Sequence, residues 1–204
     1  MKQEQVWDEI SKEWKAYRCE PIPEVSDFLK EKSGKILDLC CGSGRNFVKI
    51  KGVFYGVDFS DKMLKYAEEN AKKLGVEAVV KKSEASKLPF PDNYFDAAVF
   101  IAALHCIDSR EEREQALKEL KRVLKRGAEA LISVWSKEQE RFKDKPKEIK
   151  IPWKIEGREY QRYYYLYDRK EILDLLKLIG LEVKEIIEKP DSYSEKNIVV
   201  RVQK

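Results

Sequence analysis

The chain has 204 residues, 43% of them hydrophobic, so it can bury one good core but not the cores of two full domains. The 41 Lys and Arg residues exceed the 37 Asp and Glu residues by four, which excludes a polybasic histone-like protein and an acidic disordered one. The longest uncharged stretch in the middle of the chain, residues 97–107, is far shorter than the roughly 18 residues of a membrane span.

Two helices are predicted before the first strand. Val6, Ile10 and Trp14 recur four residues apart and give the first helix one apolar face. A proline in the first turn begins the second helix, which is predicted over residues 23 to about 32. Residues 1–34 are therefore expected to form an N-terminal helical cap.

From residue 35 onward, short apolar runs alternate with amphipathic segments. Strands are predicted at residues 36–39, 53–58, 76–80, 95–102, 128–135, 181–187 and 197–202. Helices are predicted from Arg45, over 61–73 behind a Ser60 N-cap, over 109–125 and over 168–179. Strands separated by helices predict an α/β fold with a doubly wound parallel sheet, and residues 137–162 interrupt this rhythm.

A glycine-containing turn follows the first strand. The segment begins with Asp38 at the strand end and continues through Cys40, Gly42 and Gly44. A dinucleotide-binding turn needs a small third residue where this chain has Phe47, and the Lys-Ser/Thr pair of a phosphate-binding loop is missing. A carboxylate at position 38 repels a pyrophosphate and favours a ligand with a cationic end. S-adenosyl-L-methionine (SAM), which carries an ammonium and a sulfonium but no phosphate, fits that requirement.

Two further acids follow the next two strands. Asp58 ends the second strand, where it can accept hydrogen bonds from both ribose hydroxyls. Glu84 follows the third strand and can accept from the adenine N6 amine, while the backbone N–H of Ala85 can donate to N1. Three apolar side chains are expected to enclose the adenine ring: Phe59, Met63 and Ile101.

These motifs resemble those of class I SAM-dependent methyltransferases. The matching strings are Asp-x-x-x-Gly-x-Gly at residues 38–44, Val-Asp-Phe-Ser at 57–60, Glu-Ala-Ser-Lys-Leu-Pro-Phe at 84–90 and Phe-Asp at 95–96. The family often has its first glycine where this chain has Cys40. The resemblance predicts a Rossmann-like, doubly wound, mostly parallel seven-stranded sheet whose last strand is antiparallel.

Four other strings, at residues 17–23, 101–105, 134–139 and 162–167, resemble one subfamily. It comprises the tRNA wobble-uridine carboxymethyl methyltransferases, which esterify 5-carboxymethyluridine in the anticodon loop. The chain departs from the subfamily at Cys106, where a second histidine is expected, and in the short connection at residues 137–162. The resemblance implies two partners, a tRNA anticodon loop and a small zinc-binding activator subunit.

The implied reaction needs no general base, because a carboxylate with a reference pKa of about 4 is already ionised at neutral pH. Arg18 and Arg162 lie in the matching strings and are the candidates for gripping the acceptor carboxylate. His105, the only histidine, follows the fourth strand and is the third catalytic candidate. Its position is equally compatible with a partly buried ring at a strand end and with contact to the substrate.

The stretch from residue 137 to residue 162 contains nine Lys or Arg and six Asp or Glu, with aromatic residues among them. This composition suits a single-stranded RNA loop, and it equally suits a solvated lid over the active site. The third predicted strand, which begins at Val76 and ends at Val80, is expected at the sheet edge. We expect the activator subunit to complete that edge by adding a strand.

The sequence thus predicts one methyltransferase domain, residues 1–204, with SAM as cofactor. Its parts are the cap at 1–34, the core at 35–136, a basic and aromatic insertion at 137–167 and a C-terminal helix with strands at 168–204. Two other functions remain open: methylation of a small metabolite, and SAM binding without catalysis. With one histidine and no C-x-x-C pair, no metal site is expected, and the absence of an apolar leader favours a cytoplasmic location.

Overall fold

The computed structural model describes residues 1–190 and 192–204. The helices are α1 (Gln3–Tyr17), α2 (Pro23–Leu29), α3 (Asp61–Leu74), α4 (Arg110–Val123), α5 (Arg169–Ile179) and α6 (Tyr193–Lys196). The strands are β1 (Ser33–Leu39), β2 (Lys51–Asp58), β3 (Ala78–Lys82), β4 (Phe95–Ile101), β5 (Leu124–Trp135), β6 (Glu148–Ile155), β7 (Arg158–Tyr165), β8 (Glu182–Ile187) and β9 (Asn197–Gln203).

Seven strands form one sheet in the order β3-β2-β1-β4-β5-β9-β8. Neighbouring strands from β3 to β5 run parallel, and β9 is antiparallel to both of its neighbours. One face of the sheet packs against α4 and α5, and the other against α2 and α3. The predicted doubly wound sheet with an antiparallel last strand is therefore confirmed.

Most predicted helices lie where the apolar pattern placed them. Ser60 caps α3, since its hydroxyl accepts a hydrogen bond from the backbone N–H of Met63 at 3.1 Å. The four inward residues of α3 are buried: Met63, Leu64, Ala67 and Ala71. The second helix is shorter than predicted and ends at Leu29, because β1 already begins at Ser33.

The helix predicted from Arg45 is wrong. Consecutive turns and an extended segment join Gly44 to the start of β2 at Lys51, which leaves too few residues for a helix and its return to the sheet. The buried Phe47 ring fills the space instead and packs against Phe54 with ring centroids 5.1 Å apart.

Part of the predicted insertion is a β-hairpin. Strands β6 and β7 pair in register from Glu148↔Tyr165 to Ile155↔Arg158 and form a separate two-stranded sheet. The two turn residues, Glu156 and Gly157, both have positive φ, as a type I′ turn requires. Strand β7 also contacts α1, so the hairpin and the N-terminal helix lie side by side.

Helix α1 is anchored on the core by apolar contacts. Val6 and Ile10 are buried in a cluster with Met63 of α3 and Tyr160 of β7. The indole of Trp153 on β6 donates a hydrogen bond to Glu13 at 3.0 Å. Within the described residues, no helix combines the length and the apolar character needed to cross a bilayer.

Candidate functional site

A cavity of about 400 Å³ lies at the carboxyl ends of the parallel strands, which is where open α/β sheets bind ligands. Its volume falls within the range of small-molecule sites. The turn after β1, the ends of β2 and β4, and the segment after β3 form its floor and walls. The N-terminal segment and α1 cover it through Lys2, Gln3, Glu4, Trp7 and Trp14.

The turn after β1 brings its backbone close to the end of β2. Cys40, Gly42 and Gly44 all have positive φ, which turns the chain sharply at the strand end. The backbone N–H of Gly42 donates to a carboxylate oxygen of Asp58 at 2.9 Å. A side chain at Gly42 would meet open space, whereas a Cβ at Gly44 would lie 2.8 Å from the Phe47 ring. Gly42 therefore faces the cavity and Gly44 faces the core.

Asp58 is a buried acid whose carboxylate is held by backbone donors. It accepts from Gly42 N–H and from Ser60 N–H at 3.0 Å, and burial raises its pKa to about 6 even though these hydrogen bonds oppose the shift. Near neutral pH the group is ionised and fixed in orientation. It lines the cavity, where it can accept hydrogen bonds from hydroxyl groups of a ligand.

Asp38 lies behind the cavity wall rather than on it. It is fully buried, and one oxygen accepts a long hydrogen bond of 3.4 Å from the wall residue Asn46. Its other oxygen has no partner, and burial raises its pKa to about 7 against the opposing effects of Asn46 and Arg45. An unpartnered buried carboxylate oxygen next to a cavity is suited to a cationic ligand group.

The other predicted ligand contacts meet at the cavity. Those on its wall are Cys40, Phe59, Met63, Glu84, Ala85 and Ile101. The Glu84 carboxylate has a raised pKa, first because of partial burial and then because Glu112 and Glu4 lie near it. A planar ring between Phe59 and Ile101 would therefore have an acid within reach of its polar edge.

Of the two candidate arginines, only Arg18 lines the cavity. It directly follows α1, and its guanidinium lies over the rings of Tyr17 and Trp14, at 4.8 and 5.8 Å from their centroids. Arg162 is buried behind Trp14, with its guanidinium carbon 5.3 Å from that ring and 4.8 Å from the ring of Trp153.

Arg162 is only partly satisfied by the protein. One terminal nitrogen donates to the Tyr164 hydroxyl at 2.9 Å, and its Nε has no partner. Neither Arg18 nor Arg162 forms an ion pair within the described part of the chain. Both guanidinium groups lie near the ring of Trp14, at 5.8 Å from its centroid for Arg18 and 5.3 Å for Arg162, and only Arg18 lines the cavity.

The structure places His105 away from the cavity wall. The ring is fully buried and stacks on Trp135 and Tyr164, with centroids 5.1 and 5.7 Å away. Its Nδ1 accepts from the Trp135 backbone N–H at 3.3 Å, and burial lowers its pKa to about 3. The ring is therefore neutral at physiological pH and contributes no charge.

Sequence reasoning missed several residues of the site. Arg45 and Asn46 line the cavity beside the glycine turn, and Trp14, predicted only as part of an apolar helix face, lines the cavity and lies near both arginines. The position of Arg45 directly after the Gly-Ser-Gly turn was the sequence signal from which its place at the cavity could have been predicted.

Among residues 1–190 and 192–204, no three His, Cys, Asp or Glu side chains are grouped so that they could hold a metal ion. The four cysteines, all in the described part, are free thiols, and burial raises the pKa of Cys40 and Cys41 well above the usual value.

Comparison with known proteins gives consistent findings. The sequence pattern of the methyltransferase domain family matches residues 37–132. A Schizosaccharomyces pombe protein named tRNA (carboxymethyluridine(34)-5-O)-methyltransferase is 30% identical to this chain, over 89% of each sequence. An Arabidopsis thaliana protein of the same name is 36% identical over 66% of this chain, which spans only 33% of that longer protein.

The fold also recurs among solved structures. A SAM-dependent methyltransferase from Methanosarcina mazei superposes with a TM-score of 0.70, covering 91% of this chain and 98% of its own, at 24% sequence identity. At that identity the similarity concerns the fold.

Proposed function

The chain belongs to the family of SAM-dependent methyltransferases that includes the Schizosaccharomyces pombe protein, and we propose that it methylates the carboxylate of 5-carboxymethyluridine at the tRNA wobble position. The observation that carries the proposal is the pair of guanidinium groups, Arg18 and Arg162, which lie near the ring of Trp14 without acidic partners in the described residues. Arginine without an ion-pair partner beside a cavity suits recognition of an anionic acceptor.

The residues of the cavity fit the methyl donor. The unpartnered oxygen of Asp38 would accept from its ammonium group, and Asp58 from its ribose hydroxyls. Glu84 and the backbone of Ala85 would bind the polar edge of adenine, between Phe59, Met63 and Ile101. SAM bound there supplies an electrophilic methyl group attached to a sulfonium.

The protein's task at the acceptor is positioning. A carboxylate is ionised at neutral pH, so no side chain has to remove a proton. Arg18 would hold one acceptor oxygen, which orients the other toward the methyl group, and Arg162 would support that charge from behind Trp14. Helix α1 covers the cavity and limits access of water, so the opposite charges attract more strongly.

A second candidate is methylation of a small metabolite that carries a carboxylate. The cavity volume of about 400 Å³ under α1 favours it, because a free metabolite fits such a space without a polymer attached. The two candidates share every donor contact and differ in what the arginines and the basic surface bind.

Labelled SAM offered in parallel to bulk tRNA and to a small-molecule extract separates the two candidates. The proposal expects label in the tRNA fraction, with a rate that falls steeply as salt is added, because phosphate contacts release counterions. Label found only in the small-molecule fraction would favour the metabolite.

We also propose that a partner subunit adds a strand to β3. This strand is at the edge of the sheet, and Val79 on it is 49% exposed. The strand ends in two exposed lysines, but its unpaired backbone edge and the exposed Val79 side chain can still pair with a strand of another chain. The resemblance of the sequence suggests a small zinc-binding activator as that chain. A purified protein that is monomeric, stable and fully active alone would contradict this proposal.

A further inference from the structure

A second depression lies next to the cavity, between α1, the turn after β1 and α3. Its volume is about 900 Å³, and two residues, Ser43 and Arg45, line both it and the cavity. The second depression, called the basic groove below, therefore adjoins the cavity, and two of its lining residues, Cys19 and Glu20, directly follow Arg18 in the chain.

The basic groove concentrates positive charge. Its cationic residues are Lys12, Lys15, Arg45, Lys49 and Lys73, and its acidic residues are Glu20 and Glu69. One acid is already neutralised, since Glu69 pairs with Lys15 at 3.1 Å. The groove thus holds an excess of three positive charges, most of the net +4 of the whole chain.

The cations of the groove are mostly free. Lys12, Arg45, Lys49 and Lys73 form no ion pair within the residues that the structure describes. The three lysines are exposed, whereas Arg45 is partly buried at the junction with the cavity. Because these cations outnumber the acids of the groove, they repel one another, and a bound polyanion would reduce that repulsion.

The groove also has a partly apolar lining. Phe47, Val48 and Pro21 contribute to it, and the partly exposed ring of Tyr66 lies 4.2 Å from the Lys15 ammonium. Channels that bind single-stranded nucleic acids usually combine cationic side chains, which contact the phosphate backbone, with aromatic rings on which bases stack.

We propose that the basic groove binds the phosphodiester backbone of the RNA strand that adjoins the nucleotide held in the cavity. This inference rests on the proposed function, because it supplies the strand to which that nucleotide belongs. It assigns the flanking phosphates to Arg45 and then to the lysines, on the side of the cavity formed by α1 and α3. A mononucleoside acceptor would make none of these contacts.

The test uses the full chain and two matched triple variants. The groove variant is Lys12→Ala, Lys49→Ala and Lys73→Ala. The control variant is Lys118→Ala, Arg126→Ala and Lys177→Ala, which removes three exposed cations that line neither depression and form no ion pair in the described residues. Circular dichroism checks that both variants are folded.

Binding of a fluorescent anticodon stem-loop RNA is measured over a range of salt concentrations. The groove variant is expected to bind about tenfold more weakly than the control at low salt, and its slope of log affinity against log salt should be shallower by about 2. Methyl transfer should follow the same pattern, with kcat/KM falling at least tenfold more for RNA than for the free 5-carboxymethyluridine nucleoside.

The outcomes separate this inference from the proposed function. If the groove and control variants bind RNA equally well, or if transfer to RNA and to nucleoside falls equally, the groove assignment is wrong while RNA methylation stands. If the RNA binds through the groove but wild-type protein transfers no methyl group to it, the proposed function fails and the groove assignment stands.

Discussion

Asp38 and Asp58 are buried acids at neighbouring strand ends, and their environments give them different tasks. Backbone donors fix the carboxylate of Asp58 and leave it ionised near neutral pH. Asp38 has only one long hydrogen bond and a pKa of about 7, because burial outweighs its neighbours. A ligand cation would favour its ionised form, so donor binding and proton release should be coupled.

We therefore expect S-adenosylhomocysteine, which keeps the ammonium group, to bind more weakly as pH falls through about 7. Protonated Asp38 cannot pair with a cation, so the affinity should approach a tenfold loss per pH unit below the pKa. Calorimetry at several pH values measures this slope, with adenosine as the control that lacks the ammonium. The Asp38→Asn variant should lose the slope, and an equal slope for adenosine would contradict the assignment.

Arg18 should act on the acceptor and not on the donor. Arg18→Ala is expected to lower kcat/KM for tRNA by about 10- to 150-fold, the loss of one charge-assisted contact of about 1.5–3 kcal/mol. Affinity for S-adenosylhomocysteine should change by no more than about twofold, because the contact that is lost is to the acceptor and not to the donor. Arg18→Lys keeps the charge without the planar fork and should recover part of the activity. Parallel loss of donor binding would place Arg18 in the donor site instead.

His105 should prove structural. Replacement by Phe leaves the Trp135 backbone N–H without its acceptor, which costs about 1–3 kcal/mol of unfolding free energy, and removal of the unpartnered buried Nε2 offsets part of that loss. Because the ring is neutral above a pKa of about 3, the pH dependence of the rate should not change. Denaturation and pH–rate profiles test both points. A large loss of rate at unchanged stability would return His105 to the catalytic residues.

At the scale of elements, the two glycines of the turn after β1 have different roles: Gly44 packs against the core, and Gly42 lies at the cavity. Gly44→Ala places a methyl group 2.8 Å from the Phe47 ring at a positive φ, and we expect a loss of about 2–3 kcal/mol in unfolding free energy. Gly42→Ala meets open space on the cavity side, so it should cost only the backbone strain of about 1 kcal/mol.

The two glycine variants should rank in the opposite order when donor affinity, and not stability, is compared. Gly42→Ala adds a methyl group inside the cavity and should weaken S-adenosylhomocysteine more than Gly44→Ala does. Thermal denaturation and calorimetry on both variants give the comparison. A Gly42 variant that is the less stable of the two and binds normally would contradict this division of roles.

Strand and helix positions could largely be predicted from the sequence, because apolar periodicity reports burial directly. The hairpin of β6 and β7 was missed although part of its signal was present. Apolar residues (Ile149, Ile151, Trp153 and Ile155) occupy every second position before a Glu-Gly turn, but a proline at position 152 weakens the strand pattern. The density of charge in that stretch indicated either a surface that binds RNA or a solvated lid. The helix from Arg45 was expected only because strands and helices alternate along the chain. That alternation does not tell how much space lies between the strands and α3, which the Phe47 ring fills.

For the site, the sequence could predict which strand ends carry acids, since each follows an apolar run. It could not predict that Asp38 lies behind Asn46, or that Arg162 lies behind Trp14, because both depend on how side chains from distant elements pack. Arg45 at the junction of two depressions is likewise a consequence of tertiary structure.

At the scale of the whole molecule, a sheet common to many methyltransferases carries two added parts, the N-terminal helices and the β6–β7 hairpin. Helix α1 covers the cavity, and the β6–β7 hairpin packs against α1, which places Arg162 near the ring of Trp14. Exposed ion pairs such as Lys82–Glu4 at 2.9 Å contribute little to this arrangement, which depends mainly on buried apolar contacts.

The most direct measurement uses an anticodon stem-loop with a single 5-carboxymethyluridine at the wobble position, incubated with the protein and SAM. After digestion, mass spectrometry should find one added methyl group on that nucleoside, and mild alkali should remove it as expected for an ester. An alkali-stable methyl group, or no methylation of RNA by a protein that binds the donor, would contradict the account.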